Sequence, residues 1–200
     1  EVLGVTVGGK NIIEVPELFT RALFLNNNVP PLNDVRVRQA LNYAVENRLV
    51  VERVLSNKAY PAVGPLQSSS PAFNPDLVGY PYNPERAREL LREAGYPNGF
   101  ELEVLATAAG SVVVEATMGF LADIGVTVRI VRLESTTLFD RVRAGDYMAA
   151  YYSTGGELDP ITFLNNRLHS RNHGAAGNST WYFNPEVDRL LDEALRTTDM

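Results

Sequence analysis

The sequence predicts an α/β domain in which helices pack on a central sheet. Three observations carry that expectation. Segments of alternating apolar and polar residues take turns along the chain with segments whose apolar residues recur at helical spacing. Two of the helical segments open on the same trio, Asn83-Pro84-Glu85 and Asn184-Pro185-Glu186, in which asparagine caps free amides and proline sits where no donor is needed. The hydrophobic fraction of 45% and charged fraction of 21% over 200 residues are those of a globular protein with ample material for a core.

The elements follow in order. Arg21 to Asn26 reads as a strand, closed by Asn26-Asn27-Asn28. Pro30-Pro31 then forbids helix, and Asn33 or Asp34 can cap the next segment. From Val35 to about Leu55, the residues Val37, Leu41, Ala44, Val45, Val51 and Leu55 mark one amphipathic helix. Residues 56–83 form a long proline-rich connection, with Tyr60, Phe73, Tyr80 and Tyr82 available to pin it down. A helix starts at Pro84, with Ala87, Leu90, Leu91 and Ala94 as its buried stripe and Gly95 as its stop. Phe100 to Thr107 alternates as a strand, with Phe100, Leu102, Val104 and Ala106 on one face. Val112 to Ile124 reads as helix, Val126 to Leu133 as strand, Ser135 to Ala144 as a short helix and Asp146 to Ser153 as a further strand. A last helix begins at Pro185, its Val187, Leu190, Leu191, Ala194 and Leu195 at i, i+3, i+4, i+7 and i+8.

Composition excludes several functions. A formal net charge of -6 argues against a nucleic-acid partner, which needs a dense basic surface. The absence of cysteine removes disulfides, thiolate metal sites and a cysteine nucleophile together. No apolar run approaches the roughly 20 residues that span a bilayer. Glu1 to Lys10 lacks the basic-then-apolar layout of a secretory leader, and both ends read as cut from a longer chain.

Catalysis finds no convincing carrier. There is no Gly-x-Ser-x-Gly elbow and no phosphate-cradling glycine loop, and Ser68-Ser69-Ser70 reads as loop. Glu157 and Asp159 follow a strand in a glycine-rich turn, a plausible place for a catalytic pair, although Asp before Pro160 more commonly starts a turn. The two histidines, His169 and His173, have the spacing of a helical metal pair but sit beside Gly174 and Gly177, which favours a solvated loop over a metal site. What stands out is a strand end rich in tyrosine and glycine. Tyr147, Tyr151 and Tyr152 run into Ser153-Thr154-Gly155-Gly156, and ligands of open α/β sheets gather beyond strand ends. Binding surface and core are equal readings for Tyr151 and Tyr152, because alternation points only one of them inward.

Several motifs in series carry a resemblance. Asn33-Asp-Val-Arg-Val-Arg-Gln-Ala-Leu-Asn-Tyr-Ala-Val resembles the signature of the peptide, dipeptide and nickel (family 5) solute-binding proteins of ABC importers. Gly64-Pro-Leu, Pro71-Ala-Phe-Asn-Pro-Asp-Leu, the run from Tyr82 to Phe100 and Asn184-Pro-Glu-Val-Asp-Arg-Leu-Leu-Asp-Glu-Ala are similar to its later segments, so the likeness covers nearly the whole chain.

The resemblance implies one lobe of a periplasmic-binding-protein-like fold (class II, type C), with a mixed central sheet flanked by helices. Residues 1–200 would form a single α/β lobe, the second of a two-lobed receptor, with 1–20 near the interlobe crossover. It further implies a protein that is not an enzyme and carries no cofactor or resident metal. Such a protein captures a peptide or other small solute between lobes and hands it to membrane permease subunits, on the periplasmic or extracellular side of a bacterial membrane and in some forms lipid-anchored. The expected ligand-binding residues are Tyr151, Tyr152, Ser153, Thr154, Gly155, Gly156, Glu157 and Asp159, with Asn26 and Asn27 as weaker choices. Peptide binders of the family place an aspartate where this chain has Gly155, and dipeptide binders an arginine in the loop that is here Thr107-Ala-Ala-Gly-Ser. Without those charges an uncharged or differently charged solute is at least as well suited, with Glu157 as a substitute acid. A hydrolase using Glu157 and Asp159, and a metal-complex receptor using His169 and His173, stand as alternatives.

Overall fold

The computed structural model describes residues 4–7, 10–13, 19–155, 159–174 and 177–197. A short antiparallel hairpin of β1 (Gly4–Val7) and β2 (Lys10–Ile13) comes first, an element the sequence patterning does not announce. The remaining part of the segment expected at the interlobe crossover, residues 1–3, 8–9 and 14–18, lies outside the described residues.

The main sheet has four strands in the order β3-β6-β4-β5. They are β3 (Phe19–Leu25), β4 (Glu101–Ala106), β5 (Thr127–Arg132) and β6 (Ala149–Gly155). β4 runs parallel to both β5 and β6, whereas edge strand β3 is antiparallel to β6, pairing Phe19 with Gly155 and Leu25 with Ala149. The sheet is therefore mixed. β3 starts two residues before the expected Arg21, and Asn26 lies just beyond its end. β6 starts later than expected, because Asp146 closes the turn before it by accepting from the Arg141 guanidinium.

Helices cover both faces. One face packs on α1 (Val35–Ala44), α3 (Pro84–Glu93) and α4 (Ala108–Ala122). Its core joins Val37, Leu41, Leu90, Leu91, Leu102 and Val104, residues at the helical and alternating positions the pattern marks. Each such leucine contributes about 1.5–3 kcal/mol by leaving water. The other face is smaller: Leu138 and Val142 of α5 (Ser135–Ala144) meet Leu105, Tyr147 and Ala150.

Three expectations need correction. The single helix from Val35 to Leu55 is two, because Val45 is extended and the Glu46 side chain accepts from the Arg48 amide to begin α2 (Asn47–Val54). A continuous apolar stripe does not reveal such a break. The helix expected from Val112 begins at Ala108, capped by the Thr107 hydroxyl, which accepts from the Gly110 amide. Asp159-Pro160 opens a helix, α6 (Pro160–Leu168), instead of a turn, with the aspartate oxygens accepting from the amides of Ile161 and Thr162. α7 (Pro185–Arg196) starts at Asn184-Pro185 as expected and packs beside α6.

Residues 56–83 contain neither helix nor strand. Tyr80 and Tyr82 hold this segment, meeting Tyr43 and Phe120 edge-on at 5.0 and 5.7 Å between ring centroids. Tyr60 does not, being 93% exposed.

Candidate functional site

The parallel strands aim their C-terminal ends at one side of the sheet, and antiparallel β3 starts there. Ala106, Arg132, Gly155 and Phe19 thus lie along one rim, where ligands of open α/β sheets gather. The stretch Thr107-Ala-Ala-Gly-Ser is the first turn of α4 instead of a free loop, and it is already occupied by the chain's own groups. The Arg132 Nε donates to the Ser111 hydroxyl at 3.1 Å, and its guanidinium pairs with Glu115.

An open cleft of about 870 Å³ runs along one face of the β3–β6 pair. Ala22, Phe24, Tyr152 and Thr154 supply its sheet wall. The facing walls come from α2 (Arg48, Glu52), the proline-rich segment (Pro65, Tyr80, Tyr82) and α6 (Phe163, Arg167), with Ser179 and Thr180 at the base of the tyrosine. Aromatic rings, prolines and aliphatic side chains share this lining with hydroxyls and with the charges of Glu46, Arg48, Glu52 and Arg167, a mix that suits a small-molecule site.

Tyr152 is the best-anchored cleft residue. Its ring stacks on Phe24 with centroids 4.0 Å apart and meets Phe139 edge-on at 5.6 Å. Its hydroxyl shares a 2.8 Å hydrogen bond with the Ser179 hydroxyl. The Tyr147 hydroxyl donates to the Ser179 carbonyl at 2.7 Å, so one serine serves two tyrosines. Burial pushes the hydroxyls of Tyr147 and Tyr152 above the ordinary tyrosine range, although the Ser179 bond and the Arg167 charge pull Tyr152 back. Burial likewise raises Tyr151. All three hydroxyls therefore stay protonated at neutral pH.

The Ser179 segment is set by Asn178, which is fully buried. Its side-chain amide donates to the carbonyls of Leu168, His169 and Tyr182, and its oxygen accepts from the Thr180 hydroxyl and the Tyr182 amide.

The expected site residues divide. Tyr152 and Thr154 line the cleft together, on the same face of β6. Tyr151 points the other way, onto the larger core, so the two tyrosines are half-buried against opposite cores and only Tyr152 faces the cleft. Ser153 is exposed and Gly155 sits at the rim with φ of 138°. Gly156 and Glu157 lie outside the described residues. The Asp159 carboxyl is held below its usual range by the hydroxyl and amide of Thr162, and its oxygens serve the first turn of α6. Asn26, 2% exposed, donates to the carbonyls of Gly145 and Tyr147, and Asn27 donates to those of Leu25 and Thr180. Both tie the end of β3 to neighbouring turns.

The two histidines face different partners. His169 Nδ1 accepts from the Arg171 amide at 3.1 Å and lies 3.4 Å from the Asp188 carboxylate. His173 Nε2 lies 2.9 Å from the Tyr182 carbonyl, with its ring against Trp181. Among the described residues no group of three histidine, aspartate or glutamate side chains is placed to hold a metal ion.

Ser179, Tyr80, Tyr82, Phe163 and Arg167 were not foreseen as cleft residues, nor Asn178 as the residue that sets the Ser179 turn. Gly174 and Gly177 mark the stretch before Ser179 as a loop without saying what the loop touches.

Comparison with known proteins gives a consistent picture. Residues 5–175 match the family model described as bacterial extracellular solute-binding proteins, family 5 middle. The chain is 34% identical over 196 residues to heme-binding protein A of Haemophilus influenzae, covering 94% of this chain and 36% of that protein. It is 31% identical over 203 residues to the glutathione-binding protein GsiB of Pectobacterium atrosepticum, covering 94% and 38%. Among solved structures, the ABC transporter-associated periplasmic binding protein DppA of Helicobacter pylori, in complex with the peptide STSA, superposes with a TM-score of 0.84 at 27% identity, over 91% of this chain and 36% of that one. The chain thus spans little more than a third of the length of these relatives, which are named as binding proteins. With its mixed sheet, its helical layers and a family match across most of its length, the chain belongs to the family 5 bacterial extracellular solute-binding proteins.

Proposed function

We propose that this chain is the second lobe of a two-lobed solute receptor, which captures a peptide-like solute and delivers it to the permease of an ABC importer. Binding is reversible and involves no bond making or breaking. The observation that carries the reading is the open cleft beside the rim, walled by the stacked Phe24–Tyr152 pair and by Thr154. Aromatic rings give contact area at low entropic cost, and the hydroxyls give orientation. The relatives named for glutathione and for a bound peptide support a peptide-like solute. A receptor of this kind works at the outer face of the bacterial membrane, in soluble or lipid-anchored form. Its lobes close on the solute, and the closed form is what the permease reads.

Native mass spectrometry of the full chain as the cell makes it, purified gently, tests this reading. A discrete bound mass with peptide bonds, released on denaturation, is the expected result. Turnover of a substrate panel, or a bound mass that contains no amide, would overturn it.

A further inference from the structure

Between Lys58 and Glu85 the proline-rich segment carries one charged side chain, Asp76. Two arms of this segment, 60–65 and 77–80, lie side by side. A Cβ on Gly64 would fall 2.7 Å from a Leu77 methyl, and one on Gly79 would fall 3.3 Å from a Val63 methyl. The arms leave Tyr60 93% and Val78 87% exposed, with Leu77 and Tyr80 nearly half exposed. Apolar residues exposed one at a time are ordinary, but several gathered on two touching arms mark a contact surface.

The surface is rigid and short of charge. Pro61, Pro65 and Pro81 restrict the backbone of the segment. Tyr80 packs edge-on against Tyr43, and the Asn83 amide donates to the Tyr43 carbonyl at 2.8 Å. Docking here therefore costs little ordering entropy. No lysine or arginine occurs in 59–85, so an anionic lipid surface finds nothing to attract it. Charge-poor apolar surfaces are instead the kind that lasting interfaces bury. Position narrows the partner further. Pro61, Val63, Pro65 and Tyr80 line the cleft, whereas Tyr60, Leu77 and Val78 lie outside that lining, so whatever covers them sits at the margin of the cleft. The relatives are well over twice as long as this chain, which leaves ample polypeptide for a lobe in that place.

We propose that the paired arms 60–65 and 77–80 are the seat of the receptor's other lobe, which buries Tyr60 and Val78 in a lasting, uncharged contact at the edge of the cleft. This rests on the two-lobed reading above and adds the surface on which the lobes meet.

Hydroxyl-radical footprinting and photocrosslinking of the full receptor, as the cell makes it, decide the matter without any solute. Tyr60 should be oxidised at least about fivefold more slowly in the folded receptor than in the urea-unfolded one, as for a residue in the core of an interface. A smaller slowing overturns the proposal. In the variant Tyr60→p-benzoylphenylalanine, irradiation should join position 60 to a peptide from outside residues 1–200. A crosslink within 1–200, or none, overturns it. So does a Tyr60 that reacts freely in the receptor and is shielded only when permease or lipid vesicles are added, which would assign the surface to that partner. Failure of the solute reading is seen separately, as the absence of a bound peptide in native mass spectrometry, and it leaves the footprint and the crosslink unchanged.

Discussion

The hydroxyls of Tyr152 and Ser179 meet at 2.8 Å although 27 residues separate them in sequence. The bond ties the cleft wall to the turn that Asn178 holds, so the orientation of the Tyr152 ring is set outside the strand that carries it. Ser179→Ala removes this bond and keeps the carbonyl that Tyr147 uses. It should cost about 0.5–1.5 kcal/mol, read by urea unfolding. Tyr147→Phe leaves that buried carbonyl without its donor and should cost more, about 1–3 kcal/mol. The reverse order would mean that the turn is held by the Tyr152 bond.

Asn178→Ala removes five hydrogen bonds made by a fully buried side chain. The loss should exceed about 3 kcal/mol, since several buried carbonyls lose their donor at once. Chemical denaturation that shows a change below about 1 kcal/mol would refute the role given to this residue.

Gly99 has φ of +74°, and a Cβ there would fall 1.8 Å from the Gly125 carbonyl oxygen. Gly99→Ala should destabilise by at least about 2 kcal/mol, from strain and clash combined. Gly95 has a similarly positive φ of +91° but nothing within 4 Å of a Cβ. Gly95→Ala should therefore cost only the backbone strain, about 1 kcal/mol. Thermal melts of the two variants separate the contributions.

The Asp188 carboxyl lies below the ordinary aspartate range. Burial works against this, but hydrogen bonds from the Ser170 amide and hydroxyl and the charges of His169 and His173 outweigh it. A carboxyl whose folded-state pKa is depressed contributes stability that is full above its unfolded value, about 3.9, and is lost as pH falls through the folded value. Acid unfolding should therefore be shallower in Asp188→Asn than in wild type below about pH 4. Parallel curves would remove Asp188 from the acid response.

Much of the fold is legible in the sequence because its signals are local. Asn83-Pro84 and Asn184-Pro185 mark helix starts, and alternation in Leu102, Val104 and Ala106 marks a buried strand face. The Asp159-Pro160 start carried the same kind of signal and was outweighed by the turn preference of Asp-Pro. The break at Val45-Glu46 depends on one side chain bending back to cap Arg48, which leaves the apolar period intact on both sides. The cleft is the least legible part. Tyr152 and Thr154 stand out by composition, but the walls facing them come from α2, residues 61–82 and α6, and no local pattern states that these meet.

The amide of Asn27 reaches the carbonyl of Thr180 across 153 residues, and β3 finds its partner only when β6 exists. For a chain made from its N-terminus, β3 thus waits until β6 and the turn at Thr180 have been made before it can be closed in place. A nascent chain stopped short of Thr180 should remain open to protease, and one released beyond it should become resistant.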